Sequence, residues 1–330
     1  MPTKKPRNLD DLARQAGVTV ATVSMALRNS PLVAGPTRER INLMAREVGF
    51  TPRPYTRKYR EQAAKHENIG PILILKYEIP GRNCADPVQE SLSNALFPLM
   101  NERKIEYRYM DYLDVAAKPS ILEEFRGVVY YNDLPEEVVP EMPAVQIFGW
   151  NPHKRMRDRI TANDAEVVEL AIEHLCRMPI DRAAITWCRE MVELHPNHPR
   201  ITGFLEKMKA RGCEVTALDY ARNEPDYLSM VKCYIENGGD RIGFFAFNAE
   251  CGLKLCCALE SLGVLKKYAE AGLIICDNSP ILSTFMPAPV RIDLNMPMMV
   301  EYALDTLTRR ILRPELPEVT LLQSPRLLIS

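Results

Sequence analysis

The sequence lacks the features that mark membrane-spanning and secreted proteins. Among its 330 residues no apolar run approaches the ~20 residues that span a bilayer. The N-terminal stretch has two lysines but no apolar core of a secretory signal. Nine cysteines are present without any Cys-x-x-Cys, and we expect them to be buried, reduced thiols. These absences predict a cytoplasmic protein with no membrane partner.

Signatures of catalysis, cofactors and metals are missing as well. No Gly-x-Gly-x-x-Gly follows the first strand-like run, and no Walker-type phosphate loop occurs. His195 and His198 form a lone His-x-x-His without a third ligand, a pattern that predicts a loop rather than a metal site. No nucleophile is paired with a general base. We therefore expect no enzymatic activity, no cofactor and no metal.

Charge is distributed unevenly along the chain. Residues 1–66 contain 13 Lys and Arg and 5 Asp and Glu, a net charge of +8, whereas the remainder carries −9. A basic head on an acidic body indicates that the head alone has an anionic partner.

Apolar spacing in this basic region predicts three short helices. Gly17 ends the first helix, Thr19 can cap the second, and Pro36 suits the first turn of the third. Two helices joined by a tight glycine turn and supported by a third form a helix-turn-helix, an all-α head. The apolar positions of the outer two helices are Leu9, Leu12, Ala13, Ala16, Ile41, Met44, Ala45 and Val48.

The second helix has more small apolar residues than a buried stripe needs. Val23 is spaced to face a core, together with Leu27. In a helix-turn-helix the second helix enters the DNA major groove, where small apolar groups contact thymine methyls and hydroxyls bond bases or phosphates. The opposite face, which we expect to contact DNA, holds Thr19, Val20, Ala21, Thr22, Ser24, Met25 and Arg28.

The stretch NLDDLARQAGVTVATVSMALRNSPLVAGPTRERINLMAREVGFTPR resembles the head of LacI/GalR-type transcriptional repressors. The resemblance implies phosphate contacts at positions matching Thr22, Ser24, Thr37 and Arg38. Met25 stands where that family commonly has an arginine that reads guanine. Because Met25 cannot donate a hydrogen bond, we expect operator recognition through contacts with thymine methyl groups, or through Arg28 one turn further on.

Residues 54–68 are polar, basic and marked by proline, and they predict a linker. In the resembling family a helix forms here on DNA and a leucine wedges into the minor groove. Tyr59 occupies that position and Arg57 matches a usual arginine. Tyr59 is either a true wedge or part of a flexible tether that binds phosphates.

From residue 69 onward, short β-rich runs alternate with amphipathic stretches, a pattern typical of parallel α/β sheets. We expect two lobes. The first covers about 69–161 plus 293–320, and the second covers about 162–292 plus 321–330. With the head at 1–53, the predicted fold class is an all-α helix-turn-helix head on an α/β two-lobe body.

Weaker resemblance continues in the body and implies a periplasmic-binding-protein-like clamp. Three ligand contacts of the family match Arg200, Asn248 and Asp277, whose groups suit the vicinal hydroxyls of a sugar or nucleoside. Each also has a plainer interpretation, as a surface ion pair, a helix cap and a turn former respectively. Trp150 either stacks on a sugar ring or packs in a core, and Arg82 is a further candidate at the rim.

These patterns favour a homodimeric transcriptional regulator that binds double-stranded DNA at a pseudo-palindromic operator, and the resemblance implies a repressor. A carbohydrate-like effector bound between the lobes would modulate operator affinity. Two alternatives are an intracellular two-lobe solute-binding protein without gene-specific DNA recognition and an enzyme acting on a sugar or nucleoside.

Overall fold

A computed structural model defines the fold. It describes residues 9–19, 22–23, 26, 35–47, 69–76, 87–134, 141–149, 157–190, 197–221, 226–238 and 241–329. The chain forms two compact units, residues 1–67 and 68–330, which are called the head and the body below.

The head consists of short helices around a small apolar core. Helix α1 spans Leu9–Ala16 and α2 spans Gly35–Glu47, and residues 22, 23 and 26 between them are also helical. Among the described residues of the head, alanine occupies four of the seven buried apolar positions, so this part of the core contains little side-chain volume. These positions are Leu12, Ala13, Ala16, Val23, Ala26, Ile41 and Ala45.

The body contains two six-stranded sheets, one in each lobe. Strands β1 to β6 are Ile72–Lys76, Tyr107–Asp111, Gly127–Tyr131, Ala144–Ile147, Asp158–Ala162 and Arg182–Cys188. Strands β7 to β12 are Glu214–Tyr220, Ile242–Ala246, Leu273–Cys276, Val290–Asp293, Thr320–Gln323 and Arg326–Leu328. The first sheet has the order β11-β5-β4-β3-β1-β2 with parallel neighbours throughout. The second has the order β12-β10-β9-β8-β6-β7, in which only β12 is antiparallel to its neighbour.

Helices cover the sheets, and the central strands β3 and β8 are buried along their whole length, as parallel strands between helical layers are. Helices α3 to α6 are Pro87–Glu102, Tyr112–Ala117, Asp164–Leu175 and Pro199–Ala210. Helices α7 to α10 are Tyr227–Gly238, Ala249–Ser261, Leu265–Ala269 and Met296–Leu312. Single 3₁₀ turns occupy Pro119–Glu124 and Pro280–Thr284. This architecture confirms the predicted α/β two-lobe body with parallel sheets.

The chain passes between the lobes at residues 162–164, 293–296 and 323–326. The third passage lies a few residues later than expected, because β11 pairs with β5 from Thr320 to Gln323 and so belongs to the first lobe. The first passage leaves the carboxyl end of β5 for the second lobe, and the second passage leaves the carboxyl end of β10 for the first. Both carboxyl edges therefore border the junction of the lobes, where open α/β sheets usually bind ligands.

A buried ion pair fixes the segment between α10 and β11. The Asp158 carboxylate, 2% exposed, accepts hydrogen bonds from Arg310 Nε at 2.7 Å and from the backbone N–H of Val319 at 2.9 Å. Because this carboxylate is buried and fully engaged, the chain between α10 and β11 is held against the start of β5.

No helix in the described ranges is long and apolar enough to cross a membrane. Within the same ranges no group of three or more His, Cys, Asp and Glu side chains is arranged to hold a metal ion, and His195 lies outside them. The expectation that the cysteines are buried is correct for four of the eight described ones, namely Cys188, Cys251, Cys256 and Cys276. It is wrong for Cys176, Cys233 and Cys257, which are exposed, and Cys213 is half-buried.

His174 is an unusual buried group near the end of α5. It is 2% exposed, and neither ring nitrogen has a hydrogen-bond partner among the residues that the structure describes. Burial, reinforced by the charge of Arg177, lowers the pKa of His174 below its ordinary value of 6.5. The imidazole is therefore neutral in the folded protein at neutral pH.

We expect the free energy of unfolding to decrease as the pH falls from about 7 to about 5.5, with a contribution from His174 of up to ~1.4 kcal/mol per pH unit. The sign follows because the unfolded chain binds a proton at the ordinary pKa while the folded imidazole stays neutral. His174→Leu should flatten this dependence, measured by urea unfolding followed through tryptophan fluorescence. Equal pH slopes for the two proteins would contradict the assignment.

Candidate functional site

The turn after α1 has the geometry that a helix-turn-helix needs. Gly17 has a φ of +66°, a conformation that glycine adopts without strain. Its N–H donates to Arg14 O at 3.3 Å, and the next N–H, of Val18, donates to Ala13 O at 3.1 Å. This pair of bonds is a Schellman ending, which closes α1 and redirects the chain toward the second helix.

Thr19 begins the second helix, as the sequence predicts. Its Oγ1 accepts from the Thr22 N–H at 3.1 Å, and its carbonyl accepts from the Val23 N–H at 3.1 Å. The two threonine hydroxyls lie 2.8 Å apart, with Thr19 exposed and Thr22 half-buried. Both hydroxyls therefore stabilise the helix start while lying at the outer surface of the head.

Helix α2 holds the other two helices by side-chain hydrogen bonds that the sequence did not reveal. Arg40 Nη2 donates to the Ala16 carbonyl at 3.0 Å, at the end of α1. Asn42 Nδ2 donates to the Ala26 carbonyl at 3.4 Å, in the second helix. The position of a backbone carbonyl cannot be predicted from the sequence. Only the presence of Arg40 and Asn42 in α2 could have suggested these contacts.

Thr37 and Arg38 lie half-buried in the first turn of α2, where the helix dipole favours an anion such as phosphate. With Thr19 and Thr22 they are the predicted DNA contacts whose positions the structure describes. The others lie outside the described residues: Val20, Ala21, Ser24, Met25, Arg28, Arg57 and Tyr59.

In the body, a buried arginine organises the carboxyl edge of the second sheet. Arg200, in the first turn of α6, is 5% exposed. Its Nε and Nη2 donate to Asp164 Oδ1 at 3.0 and 2.7 Å, and its Nη1 donates to the Phe247 carbonyl at 2.9 Å. The guanidinium carbon lies 4.8 Å from the centre of the Phe247 ring. One side chain thus joins the starts of α5 and α6 to the turn between β8 and α8.

The other two predicted ligand contacts lie in and beside this turn. Asn248 caps α8, because its Oδ1 accepts from the Cys251 N–H at 3.0 Å. Asp277 follows β9 with a φ of +77°, and its Oδ2 accepts from the Ala249 N–H at 3.3 Å. Arg200, Asn248 and Asp277 are therefore brought together around residues 247–249, and all three are at least nine-tenths buried.

Electrostatics keep Arg200 charged in this position. Burial alone would lower the pKa of Arg200, but neighbouring acidic groups, which include Asp164 and Asp277, outweigh it and raise that pKa. A buried guanidinium is tolerated here because it contacts the Asp164 carboxylate, the Phe247 carbonyl and the Phe247 ring.

The first lobe presents a comparable polar edge that sequence reasoning missed. Gln146 Nε2 donates to the Asn132 carbonyl at 2.8 Å and to Asp133 Oδ1 at 2.9 Å. Residues after β3 and β4 adopt left-handed backbone, with a φ of +58° at Asn132 and +65° at Phe148. A Cβ at Gly149 would lie 1.9 Å from Gln146 Nε2, so only glycine fits beside this amide. Non-glycine residues with positive φ cluster at binding edges, and they are hard to predict from sequence.

Trp150 and Arg82, the remaining candidates, lie outside the described residues. Asp164, Phe247 and Gln146 were not predicted. The sequence offered one signal for this cluster, which is Asp164 in the first turn of α5. Sequence patterns assign an acidic residue at that position to the stabilisation of the helix start rather than to a binding site.

Comparison with known proteins supports both parts of the chain. The family model "Bacterial regulatory proteins, lacI family" matches residues 8–53. The HTH-type transcriptional regulator LacR of Lactobacillus helveticus is 22% identical over 98% of this chain and 97% of its own length. The lac repressor dimer bound to operator and the anti-inducer ONPF has a TM-score of 0.63 at 14% identity, covering 99% of this chain and 98% of that one. The complex of the regulator CelR with cellobiose also has a TM-score of 0.63, at 17% identity over 98% and 99% of the two chains.

A helix-turn-helix head on a two-lobed, periplasmic-binding-protein-like body defines a DNA-binding transcriptional regulator. The resemblance to LacI/GalR-type regulators is confirmed over residues 8–53, which match the model of the lacI family of bacterial regulatory proteins.

We expect Thr19→Ala to lower the free energy of unfolding of the head by about 1 kcal/mol, because the Thr22 N–H loses its cap. Thr19→Ser keeps a hydroxyl at the cap, so its free energy of unfolding should stay close to that of the original protein. Differential scanning calorimetry of the head transition measures both, and an unchanged midpoint in Thr19→Ala would show that the cap contributes nothing.

Proposed function

We propose that the chain is a dimeric repressor whose operator affinity is set by a small, hydroxyl-rich effector bound at the carboxyl edges of the two sheets. The observation that carries this proposal is the cluster of Arg200, Asn248 and Asp277 around the turn at residues 247–249, beside the junction of the lobes. A carboxylate and an amide at a strand edge supply the acceptors and donors that vicinal hydroxyls need. The cellobiose complex of CelR, which shares the fold, supports a carbohydrate-like compound.

Each head takes one half of a pseudo-palindromic operator, because a two-fold dimer reads a two-fold site. Thr22, Ser24, Thr37 and Arg38 bind phosphates, while Val20, Ala21, Met25 and Arg28 contact bases, with Thr19 holding the helix start. Arg57 and Tyr59 bind DNA from the linker. The net charge of +8 over residues 1–66 supports this division, and the operator-bound lac repressor dimer supports the two-fold arrangement.

Residues 1–53 are proposed as the DNA-binding domain, 54–68 as the linker, and the remainder as the effector-binding and dimerisation body. The effector changes the arrangement of the lobes and thereby the spacing of the heads. A coupling free energy of roughly 1–3 kcal/mol is typical of such regulators. Binding rather than catalysis is proposed, since the polar groups of the site are held in hydrogen bonds with one another and with the backbone. A role on DNA places the chain in the cytoplasm.

Selection of bound DNA from a random pool, with and without a metabolite library, tests this function. We expect a recovered site with internal two-fold symmetry, and at least one compound that changes its enrichment. Recovery of no sequence preference at moderate salt would favour a solute-binding protein, and turnover of a sugar or nucleoside would favour an enzyme.

Arg38→Gln should weaken binding to all DNA sequences about equally and reduce the salt slope by about 1, because one phosphate contact is lost. Ala21→Ser or Met25→Arg should instead change which sequence binds best. Fluorescence anisotropy with the selected operator and a scrambled duplex measures both effects. Parallel losses on the two duplexes for all three variants would contradict the recognition-helix assignment.

Asn248 offers a test that separates stability from effector binding. Asn248→Ser keeps an uncharged oxygen to cap α8, so we expect a nearly unchanged free energy of unfolding, whereas Asn248→Ala should lose about 1 kcal/mol. Both variants lose the amide donor and should bind the selected effector at least about 10-fold more weakly. Calorimetric titration measures the loss of affinity, and urea unfolding measures the loss of stability. Full affinity in Asn248→Ser would exclude the amide from the effector site.

A further inference from the structure

His198, the second histidine of the His-x-x-His that the sequence predicts to lie in a loop, is the N-cap residue of α6. Its Nδ1 accepts a hydrogen bond from the Arg200 N–H at 3.2 Å. Its carbonyl accepts the first backbone hydrogen bonds of the helix, from Ile201 at 2.9 Å and Thr202 at 3.1 Å. The imidazole therefore supplies a partner for a backbone N–H that the helix itself cannot satisfy.

This cap determines which ring nitrogen of His198 carries the proton. Nδ1 accepts from the Arg200 N–H only while Nδ1 is unprotonated, so the neutral imidazole holds its proton on Nε2. Nε2 lies 4.0 Å from Asp164 Oδ2, whereas the hydrogen bonds from Arg200 go to Asp164 Oδ1. The Nε2–H group thus faces the same carboxylate that holds the guanidinium.

The ring of Phe247 is a second link between His198 and Arg200. The imidazole meets this ring edge-on, with the ring centres 4.8 Å apart and the planes at 81°. The guanidinium carbon of Arg200 lies 4.8 Å from the centre of the same ring. Because closely packed side chains transmit displacements, a change at His198 reaches Arg200 through this ring as well as through the backbone.

The groups that face the imidazole come from three elements, which are α5, α6 and the turn at residues 247–249. The first turn of α5 contributes an anion, α6 itself contributes a cation, and the turn contributes an uncharged ring. A second anion, after β9, acts on the cation. In the order of these statements the groups are Asp164, Arg200, Phe247 and Asp277. Glu193 and His195, in the segment before α6, lie outside the described residues.

A proton added to Nδ1 removes the cap and leaves the Arg200 N–H without its acceptor. It also places a second cation beside Arg200 and at the N-terminus of α6, where the helix dipole disfavours positive charge. Attraction to Asp164 opposes these effects, but that carboxylate already accepts two N–H groups of Arg200. The cap is therefore present with the neutral imidazole and is lost as the pH falls.

We infer that His198 is a positioning residue that makes the effector site sensitive to pH: its neutral imidazole holds the first turn of α6, and with it Arg200, and protonation of Nδ1 releases that turn. This inference rests on the proposed function for the identity of the site. The change falls between about pH 8 and about pH 5, the range in which an imidazole gains its proton.

Melting temperatures of the full-length protein test the cap without DNA and without an effector. Tryptophan fluorescence follows the body, because the chain's two tryptophans are Trp150 and Trp187. At about pH 8, His198→Asn keeps an acceptor oxygen and should melt close to the original protein, whereas His198→Ala should melt about 3 °C lower. At about pH 5 the original protein should melt with His198→Ala, and His198→Asn should stay about 3 °C above both, because an amide does not titrate.

Comparison at equal pH removes the contribution of His174, which all of these proteins share. His195→Asn is the matched control, since it removes the other histidine of the same motif, and it should keep the pH dependence of the original protein. Loss of that dependence in His195→Asn would contradict the inference. An equal difference between the original protein and His198→Ala at both pH values would overturn it.

Nitrogen-15 NMR of labelled histidine and arginine tests the positioning of Arg200. The chain has five histidines, and His198→Asn identifies the signal of His198. At about pH 8 we expect a protonated Nε2 and an unprotonated Nδ1 in this ring. At about pH 5 the Arg200 Nε–H, identified through Arg200→Met, should exchange with water at least about 5-fold faster in the original protein than in His198→Asn.

A proton on Nδ1 at about pH 8 would overturn the inference, because Nδ1 could not then be the cap. Equal exchange of the Arg200 Nε–H in the two proteins at about pH 5 would show that His198 does not position the guanidinium. Neither measurement involves operator or effector, so failure here is distinguishable from failure of the proposed function.

Discussion

The ion pair between Arg200 and Asp164 determines how the second lobe presents its polar edge. In a parallel sheet the carboxyl ends of strands and the first turns of the following helices meet at one edge, so residues far apart in sequence become neighbours. Arg200 uses this geometry to bind the first turn of α5 and the turn after β8 at once. A buried cation is tolerated only when it is paired and hydrogen-bonded, and this requirement fixes the surrounding backbone.

The head depends on the same kind of constraint, in which polar groups at helix ends set the geometry. Gly17 closes α1, Thr19 opens the second helix, and Arg40 bonds the last carbonyl of α1. Because these bonds satisfy the helix ends, the small apolar core needs to supply little more than close packing.

The sequence predicted the fold where apolar patterning is strong and failed where it is weak. Strands β3 and β9 have the expected bounds, because each is a short apolar run between turn residues. Strands β5 and β10 were missed, since charged residues interrupt both of them. Helix α10 was missed as well, because it begins after Asn295, whose left-handed backbone has no clear sequence signal. Arg200, Asn248 and Asp277 were predicted through resemblance, but the Phe247 carbonyl and the role of Asp164 require the folded backbone.

These contacts describe a preformed polar edge, proposed here as the effector site, in which one lobe holds an arginine, an amide and a carboxylate side by side. A crystal structure of the protein with the effector found by the metabolite screen tests this proposal most directly. We predict polar contacts from the effector to this edge, at Asn248 and Asp277. An effector that binds away from the carboxyl edges of both sheets would contradict it.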